Sequence, residues 1–330
     1  MPSQPTPIKK EAPLQPPPPK LPLPTSTSTS TSPSYSHHKN IIFVKTYKTA
    51  STTVAMMLNG IATQLKMKML HPKGNGWFQE NELRTRADEG ATYQMSFRHL
   101  TPTAEYDQLS RIVPDSLLTT ILRNPNTKFV SMFNFVESTK NQFKTPERFV
   151  AAVQNGETTQ QQNDDLCNNA AYSLSGSRES LAKLTLSESE YYADELIRKL
   201  ADLGMFAIIM ERFTESMVVV CFYMDWDCES GDLLIKNAKE RSSAGKSGKV
   251  DCKSEPCLQA ITSCNHVDHK LYKHFNTILD DIINSNAIPD FPERVKKLDN
   301  VMEKSTAANY QKYPVNCRND MELHNCEGNK

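Results

Sequence analysis

The chain has 330 residues, room for one large α/β domain or two ordinary ones, and its 38 lysines and arginines balance 38 aspartates and glutamates. A net charge of zero excludes a protein whose main work is coating nucleic acid, which needs a broad basic surface, but leaves room for a local basic pocket. No apolar run approaches the roughly 18–20 residues that cross a bilayer, and the start lacks the layout of a signal peptide, so the chain reads as soluble.

Residues 1–39 are expected to be a disordered tail or stalk. The first 40 residues carry 11 of the 20 prolines and no glycine, and nine of the ten positions 25–34 are serine or threonine. Such a segment has almost nothing to bury against its ordering entropy. At Asn40 the composition changes. The run Asn40–Val44 predicts a buried strand, Thr46–Ser51 a polar turn, and Val54, Met57, Leu58, Ile61 and Leu65 recur at helical spacing. Tyr93–Phe97 and Leu117–Leu122 predict two more strands, the second followed by a helix with Pro125 in its first turn. Phe206–Met210 predicts a fourth, leading to a helix capped by Thr214. Further helices are expected near 147–154, 189–203 and 259–283, and a long loop over 230–258. Strands alternating with helices predict an α/β domain over 40–315, a P-loop-like parallel sheet flanked by helices. A tail over 316–330 closes the chain.

Eight cysteines are an even set, open to disulfides in an oxidising compartment, though the spacing fixes no pairing. A zinc site built on Cys252, Cys257, Cys264 and His266 departs from the CxxC pairs such sites prefer. There is no Asn-x-Ser/Thr sequon.

The first strand–turn–helix reads Lys45-Thr-Tyr-Lys48-Thr49-Ala50-Ser51-Thr52-Thr53. Free N–H groups and the helix dipole make that helix start an anion cradle, to which Lys48 adds a full charge and the hydroxyls add donors. An ordinary Ser/Thr-rich helix start is the plainer alternative. It is not a Walker A loop, since the two glycines are missing. In the second unit Arg123 ends a buried strand before Asn124-Pro125, and Ser131 follows two turns into the helix. A strand-end arginine can grip a phosphate bidentately.

Together the two loops resemble the 5′-phosphosulfate and 3′-phosphate loops of sulfotransferases that use 3′-phosphoadenosine-5′-phosphosulfate (PAPS). The first is similar to the Lys-Thr-His-Lys-Thr-Gly-Ser-Ser-Thr-Val of the galactose-3-O-sulfotransferase family, which includes galactosylceramide sulfotransferases, with Tyr47 in place of the His and Ala50 in place of the Gly. Three later stretches resemble the same family: Met210–Val218, Lys236–Ser243 and His274-Phe275-Asn276. The resemblance covers about residues 41–285 and implies a sulfotransferase fold, with sulfuryl transfer from PAPS to the 3-OH of a galactose on a glycolipid or glycan. By that resemblance Lys48 serves the bridging oxygen. Lys45, Thr49, Ala50, Ser51, Thr52 and Thr53 hold the 5′-phosphate, Arg123 and Ser131 the 3′-phosphate, and Arg241, with Ser242, covers the nucleotide. No metal is called for. Family members are Golgi membrane proteins, so the Golgi lumen is the implied compartment; oligomeric state is left open.

The acceptor hydroxyl needs a base within hydrogen-bond reach. The family carries His-His-x-Arg-Phe before its second loop; aligned on Arg98, those histidines fall on Met95 and Ser96. His99 is the expected substitute and His71 a contender, while Trp77 and Phe78 form a plausible sugar platform. A degenerate family member that binds without turnover and a kinase or NTPase on a similar scaffold are the alternatives.

Overall fold

A computed structural model of the protein describes residues 37–71, 81–99, 102–176, 180–230 and 250–308. The Pro/Ser/Thr-rich segment, Trp77, Phe78, Arg241, Ser242, Cys317 and Cys326 lie outside the described residues.

Five strands form one parallel sheet: β1 (Asn40–Val44), β2 (Met69–Leu70), β3 (Met95–Arg98), β4 (Ser116–Leu122) and β5 (Phe206–Ile209), in the order β2-β3-β1-β4-β5. All of β1 is buried, as a central strand covered on both faces must be, which is why it reads as a continuous apolar run. Its register sets Val44 beside Arg98 on one flank and Thr120 on the other, so β1 and β3 end level and β4 runs two residues further. From β1 the chain runs outward to β2, returns through β3, then crosses β1 to continue outward through β4 and β5. The loops leaving β1 and β4 therefore diverge from neighbouring strands, the crevice where open α/β sheets bind ligands.

The helices are α1 (Ser51–Gln64), α2 (Glu82–Asp88), α3 (Pro102–Ile112), α4 (Pro125–Phe135), α5 (Glu137–Phe143), α6 (Pro146–Gln154), α7 (Gln160–Leu166), α8 (Asn169–Ser175), α9 (Leu186–Asp202), α10 (Phe213–Tyr223), α11 (Glu255–Cys264), α12 (His266–Asn284) and α13 (Phe291–Ala308). Three expectations are corrected. The single helix expected over 259–283 is two, broken at Asn265, whose side chain donates to the Ile261 carbonyl and accepts the Asn168 N–H. The end of the expected 230–258 loop is helical, because Ser254 caps α11 by accepting the Cys257 N–H. Thr214 does not cap α10: Arg212 holds the cap position and the Thr214 hydroxyl donates to Asp299.

Two cores fill the domain. The larger surrounds the sheet; the smaller gathers Phe129, Met132 and Phe133 of α4 with Phe143, Phe149 and Ile261. Ring centroids of Phe143 and Phe149 are 5.3 Å apart, and Phe129 and Phe149 6.0 Å. One face of α4 is thus fixed by aromatic packing. Cys167–Cys264, Cys221–Cys228 and Cys252–Cys257 are disulfides, so the four-residue zinc set has no free thiolates.

Beneath the site lies a buried polar knot. Asp268 accepts the N–H groups of Ala170 and Ala171 at the start of α8, while Asn168 accepts those of Val267 and Asp268 at the start of α12. Each helix start is capped by the other's side chain. Lys128 of α4 completes the knot with an ion pair to Asp268 at 3.0 Å, both residues buried.

Candidate functional site

The loop between β1 and α1 is held by its own hydroxyls. Thr49 and Ser51 both donate to the Thr46 carbonyl, and Thr46 donates to the Ile121 carbonyl of β4 at 2.6 Å, lashing the first loop to the strand that carries the second. Thr49 is fully buried and its hydroxyl lies inside the loop. Lys48 and Ala50 have φ of 56° and 67°, and Thr49 between them is not left-handed. Alternation of that kind turns successive N–H groups toward one concavity. No side chain caps α1 and no acid lies in its first turn, so the positive end of the helix dipole is not offset from within the helix. Thr52 and Thr53, half-buried in that first turn, stand beside it.

The second loop is built differently. Asn124 caps α4, accepting the N–H groups of Asn126 and Thr127, so what this loop can offer an anion comes from side chains. Arg123 donates to the Thr127 hydroxyl at 3.0 Å and to the Lys48 carbonyl at 3.3 Å. The two predicted loops therefore meet. Burial pulls the Lys48 ammonium below its ordinary pKa, and the nearby Arg123 charge adds to the effect. Burial also lowers Arg123, opposed by Glu211. Two cations held together and partly desolvated favour an anion between them.

Ser131 lies half-buried on α4, four residues beyond Thr127 and four before Phe135. Residues at that spacing share a helix face. Arg123 grips the first of this row, and the Lys48 ammonium rests 4.2 Å from the ring centroid of the last.

His99 lies just past β3, half-buried, its Nδ1 3.1 Å from the Lys45 carbonyl and its ring stacked on Tyr47 at 4.6 Å. A carbonyl only accepts, so Nδ1 carries the proton of the neutral ring and Nε2 carries the lone pair. Met95 and Ser96, where the family histidines fall, are fully buried in β3. Lys45 is buried and joins the site through its backbone. His71 accepts from Arg86 through its carbonyl, beyond the short outer strand β2. Arg241 lies outside the described residues.

Sequence reasoning missed Glu211 as a site residue. Its carboxylate accepts the Asn124 N–H at 3.0 Å and the Tyr272 hydroxyl at 3.0 Å, while His269 Nε2 lies 3.1 Å from Asn126 Oδ1. Helix α12 thus steadies the second loop from behind; Glu211 sits inside a stretch matched to the family, but nothing in its spacing reveals what it holds.

A sequence profile described as Galactose-3-O-sulfotransferase matches residues 7–304. The chain belongs to the galactose-3-O-sulfotransferase family. Curated relatives include galactose-3-O-sulfotransferase 3 of Mus musculus, 27% identical over 254 residues, and galactosylceramide sulfotransferase of Homo sapiens, 24% identical over 258. Each alignment covers 72% of this chain but only 56% of the relative, so the chain spans about half the length of the curated relatives it matches. No solved structure matches. Within the family frame, the galactose-3-O-sulfotransferase Gly position is the left-handed Ala50, a conformation that favours glycine.

Proposed function

We propose that the chain transfers a sulfuryl group from PAPS to a galactose hydroxyl, the 3-OH, of a glycolipid or glycan. The observation that carries this reading is the meeting of the two loops: Arg123 bonded to the Lys48 carbonyl, beside an uncapped helix start. The N–H groups of Thr49 to Thr53 receive the 5′-phosphate, and Arg123 with Ser131 receives the 3′-phosphate. The acceptor oxygen forms its bond to sulfur as the bridging phosphate–sulfate bond breaks, leaving adenosine 3′,5′-bisphosphate. Lys48 stabilises charge building on the bridging oxygen, and Nε2 of His99 takes the acceptor proton. Positioning and charge stabilisation dominate such a loose in-line transfer, as in phosphoryl transfer.

The compartment we propose is the Golgi lumen. Three disulfides among the described residues support an oxidising environment. No helix of the described residues is long and apolar enough to cross a membrane.

A second reading, binding without turnover, draws on Ala50 at positive φ and on Met95 and Ser96 in the histidine positions. The test is PAPS-dependent transfer to a panel of galactosides, galactosylceramide and lactose included, with chelator present. Transfer that persists in chelator is expected and separates this chemistry from a kinase, which needs Mg²⁺. Binding of adenosine 3′,5′-bisphosphate with no transfer to any galactoside favours the second reading; neither binding nor transfer overturns both.

A further inference from the structure

Among the described residues six large apolar side chains are exposed: Tyr47, Met56, Leu65, Phe135, Leu186 and Tyr191. Scattered examples are normal on any surface. Two of these six, Tyr47 and Phe135, belong to the site. Phe135 is 67% exposed although the Lys48 ammonium already rests on its ring, 4.2 Å from the centroid. An ammonium covers one face of a ring, and an aromatic has two. The other rings of α4, Phe129 and Phe133, are buried in the smaller core. Phe135 lies instead at the end of the row Thr127, Ser131, Phe135.

That row has a direction. Its first member bonds Arg123, at the 3′-phosphate end, and its last meets Lys48, at the end where sulfur is transferred. A helix rises 1.5 Å per residue, so the row is about 12 Å long. A ring at the lysine end lies where the acceptor must approach, remote from the nucleoside beside the 3′-phosphate. The negative face of an aromatic ring attracts positive charge, and on the same ground it attracts the slightly positive C–H groups on the apolar face of a pyranose. Galactose, with its axial hydroxyl, presents one continuous face of that kind.

We propose that Phe135 is the platform of the acceptor sugar: its open face takes the apolar face of the galactose at the Lys48 end of the row. This rests on the sulfotransferase reading above. Tyr47, stacked on His99, presents a second exposed ring on the same loop as the lysine.

The test uses the full chain loaded with adenosine 3′,5′-bisphosphate and reads binding of methyl β-galactoside by saturation-transfer NMR. Turnover is measured separately. Phe135→Ala should weaken galactoside binding about tenfold and leave nucleotide affinity within about threefold, while Phe135→Tyr and Phe135→Trp, which keep the ring face, should bind like the parent. Because the side chain is mostly in solvent, these variants should fold. Equal galactoside binding by Phe135→Ala and the parent would overturn the inference while leaving the sulfotransferase reading intact. A loss confined to nucleotide affinity would also overturn it, since the ring would then serve the adenine. A parent that binds nucleotide but no galactoside would defeat the acceptor reading and the inference with it.

Discussion

Ala50 holds a backbone conformation that glycine takes at no steric cost and that an L side chain adopts with strain. Ala50→Gly should raise unfolding free energy by about 1 kcal/mol, seen as a higher denaturant midpoint at unchanged slope. If the substitution instead lowers stability, the left-handed turn is not the folded conformation of the loop. In the proposed transfer Lys48 carries the larger functional weight. Lys48→Ala should abolish transfer, and full activity in that variant would defeat the assignment of the first loop. Arg123→Ala should weaken PAPS binding several-fold or more, measured as a dissociation constant. The pH dependence of Lys48 has a definite sign. Burial first, and Arg123 second, lower its folded pKa below the ordinary 10.5, so its charge costs stability at neutral pH and that cost fades as pH rises through the folded value. Transfer should therefore decline with rising pH sooner than an unperturbed lysine would dictate, and bound bisphosphate should move the decline to higher pH.

At the scale of elements, the two loops proposed to hold phosphate are built by opposite means: no side chain caps α1, whereas Asn124 caps α4 and Arg123 stands beside it. The second loop needs external support, supplied by Glu211 and Tyr272. Tyr272→Phe removes one hydroxyl and should weaken adenosine 3′,5′-bisphosphate binding about threefold. Binding of adenosine 5′-phosphosulfate, which lacks the 3′-phosphate, should not change; equal losses for both nucleotides would assign Tyr272 to general stability. Four strands and both loops were legible because β1 and β5 are continuous apolar runs, and β4 one interrupted only by Thr119 and Thr120, each ended by a polar turn. The break at Asn265 was not, since the amphipathic pattern continues across it and only contacts with Asn168 reveal it. Glu211 was hidden for a similar reason. Its partners Asn124 and Tyr272 lie 87 and 61 residues away, and no local spacing encodes such a pairing. β2, two residues long, carries too little pattern to be read at all.

For the molecule as a whole, the smaller core, the knot of Asn168, Lys128 and Asp268, and the Cys167–Cys264 bridge form one block behind α4. Cys167–Cys264 closes a sequence separation of 97, and native bridges are typically worth about 2–4 kcal/mol. Replacing both cysteines with alanine should lower unfolding free energy by that amount and weaken nucleotide binding through α4; an unchanged midpoint would show the bridge to be dispensable. Lys128→Met leaves the buried Asp268 carboxylate the N–H groups of Ala170 and Ala171 but takes away its cation and should cost about 3–5 kcal/mol, whereas joint apolar replacement also strips the cap from α8 and should not recover that loss.

The order in which the cysteines leave the ribosome is at odds with their final pairing. Cys167 emerges first, and Cys221, Cys228, Cys252 and Cys257 all precede its partner Cys264. A thiol that reacted with the first available neighbour would join Cys221, which belongs with Cys228. Synthesis at about 5–20 residues per second leaves that wrong choice open for several seconds, long enough for exchange to begin in the oxidising compartment proposed above. Maturation of this chain is therefore expected to depend on a disulfide isomerase, and yield from a host that lacks one should be limited by scrambled pairing even where the sheet itself forms correctly.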